Sequence, residues 1–190
     1  MPIEVRAESI AALPEYAQVP ISFRVETRLR VELLQGGLGG IALVEEPVTP
    51  YMKNYDAYPG EGPAHWRELW DLSHWGILSA FDGPRRVGGA AIAWKTNILK
   101  ELEANDALAA LWDLRVHPDY RGQGVGHRLF ASVLAWTQAR SCRRIMVETQ
   151  NTNVPACRFY ARQGFVLGAI HRYAYDAALD EVQLLWYREV

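Results

Sequence analysis

Hydrophobic and polar residues alternate most clearly over residues 21–34. Phe23, Val25, Leu29, Val31 and Leu33 fall on odd positions, and Glu26, Arg28, Arg30 and Glu32 on even ones. A period of two predicts a half-exposed β-strand. The run Gln35-Gly36-Gly37-Leu38-Gly39-Gly40 predicts a flexible turn, and 41–48 returns as a second strand. A hairpin connection explains Gly36-Gly37 more simply than a phosphate site does. Further on, 75–81 and 87–94 predict a strand pair across the turn Asp82-Gly83-Pro84, the second strand rich in Gly and Ala. An apolar run from Leu111 ends at His117-Pro118. Over 124–140, Val125, Leu129, Val133, Phe130 and Leu134 repeat with the 3.6-residue period of a helix. Residues 143–149 alternate as a strand. Asn151-Thr152-Asn153 offers N-cap chemistry, Pro155 suits a first turn, and Gly164 marks where the second helix stops. The segments 165–175 and 181–188 predict a closing pair of strands.

Other stretches carry weaker patterns. Residues 3–18 suggest a short strand and a turn of helix interrupted by Pro14. Residues 47–63 read as a loop, because their Pro and Gly argue against a long helix or central strand. Over 64–75, Trp66, Leu69 and Trp70 predict a short helix, and 96–105 a polar connector. No internal repeat, low-complexity tract or linker interrupts the chain. The order of elements predicts an α/β fold, a single domain over 1–190 with one mixed sheet.

Composition narrows the function classes. The chain has 190 residues, enough for a substantial single core. Its net charge of −2 gives a general nucleic-acid-binding role no support, though a slightly acidic surface tolerates a cationic substrate. Seven Trp is a high count, and aromatic rings suit pockets as well as cores. Cys142 and Cys157 have neither metal-ligand spacing nor a disulfide framework, so a reduced, cytoplasmic protein is expected. His65, His74 and His171 form no metal-like grouping, and no metal is expected. No secretory signal is evident, and no apolar run is long enough to span a bilayer.

The chemistry concentrates in 111–140. A strand, a turn rich in Arg and Gly, and a helix N-terminus follow one another. That order builds an anion cradle, because backbone N–H groups converge there and the helix dipole adds partial positive charge. Gly122, Gly124 and Gly126 permit tight turning, and Arg121 adds a charge suited to phosphate. The loop is no Walker motif, lacking Gly-Lys-Ser/Thr, and it fails the Rossmann glycine spacing. A plain Gly-rich turn is the alternative.

Arg121-Gly122-Gln123-Gly124-Val125-Gly126 fits the pattern Arg/Gln-x-x-Gly-x-Gly/Ala, and so resembles the pyrophosphate-binding motif of the GNAT superfamily of acetyl-CoA-dependent N-acyltransferases. A second segment, Asn153-x-x-Ala156-x-x-Phe159-Tyr160-x-x-x-Gly164-Phe165, resembles the same superfamily's signature on the helix beside the cofactor. More narrowly, VETQNTNVPACRFYARQGFVLG, with EPVTPYMKNYD and EVQLLWYREV, is similar to streptothricin acetyltransferases, which acetylate an amino group of a cationic antibiotic.

The resemblance implies a central, mostly antiparallel mixed sheet flanked by helices and splayed open beside its cofactor-binding strand. It implies acetyl-CoA held by 121–127, including His127, with the backbone groups of Leu114, Arg115 and Val116 pairing with pantetheine while their side chains matter little. Asn153 would contact the cofactor or cap its helix. Tyr160 would act as the acid near the cofactor sulfur, or pack there with its hydroxyl merely satisfied. Asp113 and Glu148 are candidate carboxylates on the substrate side, either of them a base, and a salt bridge to Arg115, Arg143 or Arg144 is the alternative for each. Tyr51, Tyr55 and Asp56 lie on the 47–63 loop, a lid or a mere surface connection. His117 reads as a turn residue. The implied partner is a small-molecule amine, and dimers are common in the superfamily. A peptide N-acetyltransferase and a non-catalytic acyl-CoA-binding protein are the alternatives.

Overall fold

A computed structural model describes residues 2–58, 60, 62–96 and 107–190. In chain order its elements are β1 (Glu4–Glu8), α1 (Leu13–Tyr16), β2 (Phe23–Leu34), β3 (Gly40–Lys53), α2 (Trp66–Leu69), β4 (Gly76–Asp82), β5 (Arg85–Trp94), β6 (Leu108–Val116), α3 (Val125–Gln138), β7 (Arg144–Gln150), α4 (Val154–Arg162), β8 (Val166–His171) and β9 (Gln183–Glu189). Two compact units divide them. One holds Met1–Ser22, Asn54–Val147 and Glu189–Val190, and the other Phe23–Lys53 and Glu148–Arg188. The expected α/β class with a mixed sheet is what the chain adopts.

In the first unit β1, β4, β5 and β6 are neighbours in that order, all antiparallel, and β6 then pairs parallel with β7. β4 and β5 carry almost unbroken apolar or small residues because their central positions are buried. Small residues also make room for specific rings. A Cβ on Gly89 would lie 2.2 Å from the Tyr16 ring, and one on Gly76 would lie 2.5 Å from the Trp136 indole. α3 lays Val125, Leu129, Phe130 and Val133 into the core, the apolar face that its sequence period predicted.

β6 is irregular where its function is expected. Ala91 faces Asp113 but Ile92 faces Leu111, so Trp112 is an extra residue in the ladder, a β-bulge. The parallel register with β7 joins Leu108, Ala109 and Ala110 to Arg144, Ile145 and Met146 and, among the described residues, stops there. The splay expected at this strand therefore begins just before the bulge.

The second unit contains the β2·β3 ribbon and the antiparallel pair β8·β9. Leu34 pairs with Gly40 across the glycine turn, as the hairpin reading expected. The loop expected over 47–63 is corrected, because β3 continues through Lys53. Pro47 and Pro50 are tolerated because a two-stranded ribbon is all edge, and because the register breaks between Val25 and Thr27 opposite them. The helix expected over 64–75 shrinks to a 3₁₀ turn, Pro63–His65, and the single turn α2. The strand expected over 165–175 ends at His171. The polar connector expected over 96–105 lies almost wholly outside the described residues. α4 begins with the Asn153 side chain accepting from the Ala156 N–H and stops before Gly164, whose φ of 84° suits glycine. No described helix is long and apolar enough to cross a membrane.

Gly89→Ala should destabilise the protein by about 1–3 kcal/mol, because the new methyl meets the Tyr16 ring at a site with no slack. Urea unfolding checks this, with Ala90→Gly, on the same strand, as a comparison that removes rather than adds a methyl.

Candidate functional site

The turn between β6 and α3 is built for a ligand that accepts hydrogen bonds. Pro118–Tyr120 form a 3₁₀ turn, then Gly122 and Gly124 take φ of 75° and 81°. Only glycine holds that left-handed backbone without strain. A Cβ at either position would meet nothing within 4 Å, so the outer face of the loop is open. Gly124 is the N-cap of α3 and supplies no side-chain cap, and the first turn has no acidic residue. The first N–H groups of a helix have no intrahelical acceptor, so this end presents donors and positive dipole together. Arg121 braces the loop. Its Nε donates to the Val116 carbonyl at 3.0 Å, and one Nη donates to the Ser22 carbonyl at 2.8 Å. Burial draws its pKa somewhat below the usual arginine value. Gln123 donates to the Asp119 carbonyl, and His127 lies in the exposed first turn of α3. This donor set fits a diphosphate. The Val116 carbonyl accepts from Arg121.

Beside this loop runs a buried ionic network of which sequence reasoning weighed only the Asp113–Arg115 pair. The expectation that the Arg115 side chain matters little is corrected, since it is among the most buried large side chains of the protein. Its Nε and one Nη grip the two oxygens of Asp113 at 2.9 and 2.8 Å. The two Nη groups also reach Asp56 at 2.8 and 3.1 Å, and Nη1 donates to the Val19 carbonyl at 3.1 Å. The Tyr16 hydroxyl donates to Asp113 at 2.5 Å, and its ring lies 5.1 Å from the guanidinium carbon. Burial and then the Asp113 charge hold the Tyr16 phenol well above its usual pKa. Asp113 therefore has the salt bridge to Arg115 weighed as its alternative, and Asp56 shares it. Tyr55 sits in the same 3₁₀ turn as Asp56, and the Asn54 side chain caps that turn. Aromatic rings surround the bulge: Trp112 lies 4.9 Å from Trp70 and 5.4 Å from Trp75, and Trp66 lies 6.1 Å from Tyr16. A sequence signal for Tyr16 did exist. Gly89 inside an apolar strand marks a close approach by some other group.

In the second unit, Tyr160 is buried on α4, its ring 5.2 Å from Phe159 and 5.5 Å from Phe165. Asn153 caps that helix. Glu148 accepts from the Tyr175 hydroxyl at 2.5 Å and from Gln183 at 2.8 Å at the protein surface. Tyr51 is exposed on β3. Lys53, Glu181 and Thr152 form a buried cluster, with Lys53 on both oxygens of Glu181. Cys157 is buried against Thr149, and burial raises its thiol pKa, as a packing residue requires. His117 caps the 3₁₀ turn after β6, a turn residue as read.

Comparison with known proteins agrees with this layout. The acetyltransferase (GNAT) family model matches residues 42–165. Streptothricin acetyltransferase A of Bacillus subtilis is 35% identical over 81 residues, covering 42% of this chain and 47% of that protein. The streptothricin acetyltransferase of Escherichia coli is 37% identical over 83 residues, covering 42% and 48%. The chain thus spans about half the length of these curated relatives. Among solved structures, a Bacillus anthracis Ames protein assigned as a streptothricin acetyltransferase, in complex with acetyl coenzyme A, superposes with a TM-score of 0.77 at 27% identity, covering 100% of this chain and 98% of that one. A nourseothricin acetyltransferase has the same fold, with a TM-score of 0.76 at 23% identity over 100% and 99% of the two chains.

The buried Tyr16 phenol makes stability fall in alkali. A raised folded pKa means that the native state keeps its proton above pH about 10, where the unfolded tyrosine releases it. Stability is therefore undiminished below pH about 10 and declines as pH rises toward the folded value. Urea unfolding of the wild type and Tyr16→Phe at pH 8 and pH 10.5 should show the steeper alkaline loss in the wild type.

Proposed function

Because the chain belongs to the acetyltransferase (GNAT) family, we propose that it is an acetyl-CoA-dependent N-acetyltransferase acting on a primary amine of a small cationic acceptor, of the streptothricin class. The observation that carries this reading is the uncapped N-terminus of α3 behind a loop of left-handed glycines with open faces. Such a terminus can bind a diphosphate through backbone donors, and its first turn has no acidic side chain to repel the anion. The similarity to streptothricin acetyltransferases supports the acceptor class.

Acetyl-CoA, when bound, supplies a thioester carbonyl that an amine attacks directly, with CoA thiolate as leaving group. By the family motifs, the residues that would hold it are 121–127, the backbone of Leu114, Arg115 and Val116, Asn153 and Tyr160. The amine must lose a proton before attack. Asp113 is a poor proton acceptor, since Arg115 takes both its oxygens and Tyr16 shares one. We assign it, with Asp56, to the negative character of the acceptor side. Glu148, the more exposed carboxylate, is the other candidate for that proton. The family motif gives Tyr160 the acid role toward the thiolate, and a phenol with a pKa of about 10 is protonated at neutral pH. Tyr51 and Tyr55 offer aromatic contact to the acceptor. The working unit in this proposal is one domain over 1–190, in the cytoplasm.

The test is thiol release from acetyl-CoA with streptothricin, and separately with aminoglycosides, polyamines and a peptide amine. Release that depends on streptothricin is expected. Release with the peptide alone would move the acceptor class to proteins, and no release with any amine would overturn the enzymatic reading. Tyr160→Phe should lower turnover about 10²-fold or more while acetyl-CoA still raises the melting temperature.

A further inference from the structure

A guanidinium has five N–H donors and, once buried, needs an acceptor for each. Arg115 finds them in three separate stretches of the first unit. Asp113 lies on its own strand, Asp56 on the turn after Asn54, and the Val19 carbonyl on the segment after α1. The side chain is 1% exposed, Asp113 is 7% exposed, and Asp56 is 25% exposed. One cation faces two carboxylates, and Asp56 is the less buried of the two. The turn that bears Asp56 and Tyr55 is short. It has its own Asn54 cap, and the Arg115 fork on Asp56 ties it to β6.

We propose that Arg115 is a positioning residue for acceptor selection: it clamps the 54–57 turn against β6 so that Asp56 and Tyr55 stand in a fixed place for a cationic amine. This rests on the acceptor side assigned to those residues above. Arginine is required because its planar fork meets Asp113 and Asp56 at once. Lysine keeps the charge but brings three donors on a single nitrogen and cannot hold both carboxylates in this geometry.

Arg115→Lys and Asp56→Asn, made separately, test the clamp from its two ends. Amide hydrogen exchange over 54–58 should quicken by about tenfold in each, while α3 keeps its wild-type protection. The KM for streptothricin, or for whichever amine of the panel supports thiol release, should rise about tenfold, with acetyl-CoA affinity within about twofold of wild type. Unchanged exchange over 54–58 in both variants would overturn the proposal. So would faster exchange throughout α3 together with weaker acetyl-CoA binding, since that is the mark of a merely structural residue. If the wild-type protein acetylates no amine, the enzymatic reading falls, and the exchange measurement alone decides whether the clamp exists.

Discussion

A buried positive charge is tolerated only where every donor finds an acceptor, and this demand at Arg115 shapes much of the first unit. Leaving such a cation unpaired costs several kcal/mol. The chain meets the demand by bringing Asp113, Asp56 and the Val19 carbonyl to one guanidinium. Tyr16 completes the arrangement, donating to Asp113 and lying beside the cation with its ring. The ring fits only because Gly89, paired with Arg115 across the sheet, has no side chain. A glycine on one strand, a tyrosine near the N-terminus and an aspartate in a distant turn are thus consequences of one side chain.

The loop before α3 works on a different principle. It presents backbone, and backbone serves an anion only if it is left unsatisfied by its own side chains. Serine or aspartate at the N-cap would satisfy first-turn donors internally and stabilise the helix by about a few tenths of a kcal/mol over glycine. Glycine at 124 forgoes that stabilisation and keeps the donors exposed. Arg121 turns its guanidinium inward onto the Val116 and Ser22 carbonyls, so it braces the loop as well as charging it.

These two features differ in how legible they were. The loop is local: strand, glycines and helix follow within a few residues, so their order is legible from the sequence, and the family resemblance rests on their spacing. The helix faces and the β2·β3 turn were legible for the same reason. The extension of β3 through Pro47 and Pro50 was not, because proline argues against a strand unless one knows that the strand is an edge opposite a register break. The helix expected over 64–75 failed because its Trp spacing reflects packing around the bulge at Trp112 rather than helical repetition. For the Arg115 side chain only a salt bridge to a strand carboxylate was in view. Its partners at 19 and 56 are far away in sequence, and no periodicity reports such a meeting.

One part of the network was nonetheless within reach. Asp113 and Arg115 are two apart on a strand, beyond the bulge, and strand geometry puts such residues on the same face. An aspartate and an arginine so placed will pair, whatever else they do. That pairing decides the electrostatics more than the chain's net charge of −2 does, because charges spread over a surface are screened by salt and buried ones much less so. A second carboxylate, Asp56, is brought to the same arginine from the turn. Of the two carboxylates gathered on Arg115, the one on the turn, Asp56, is the less buried.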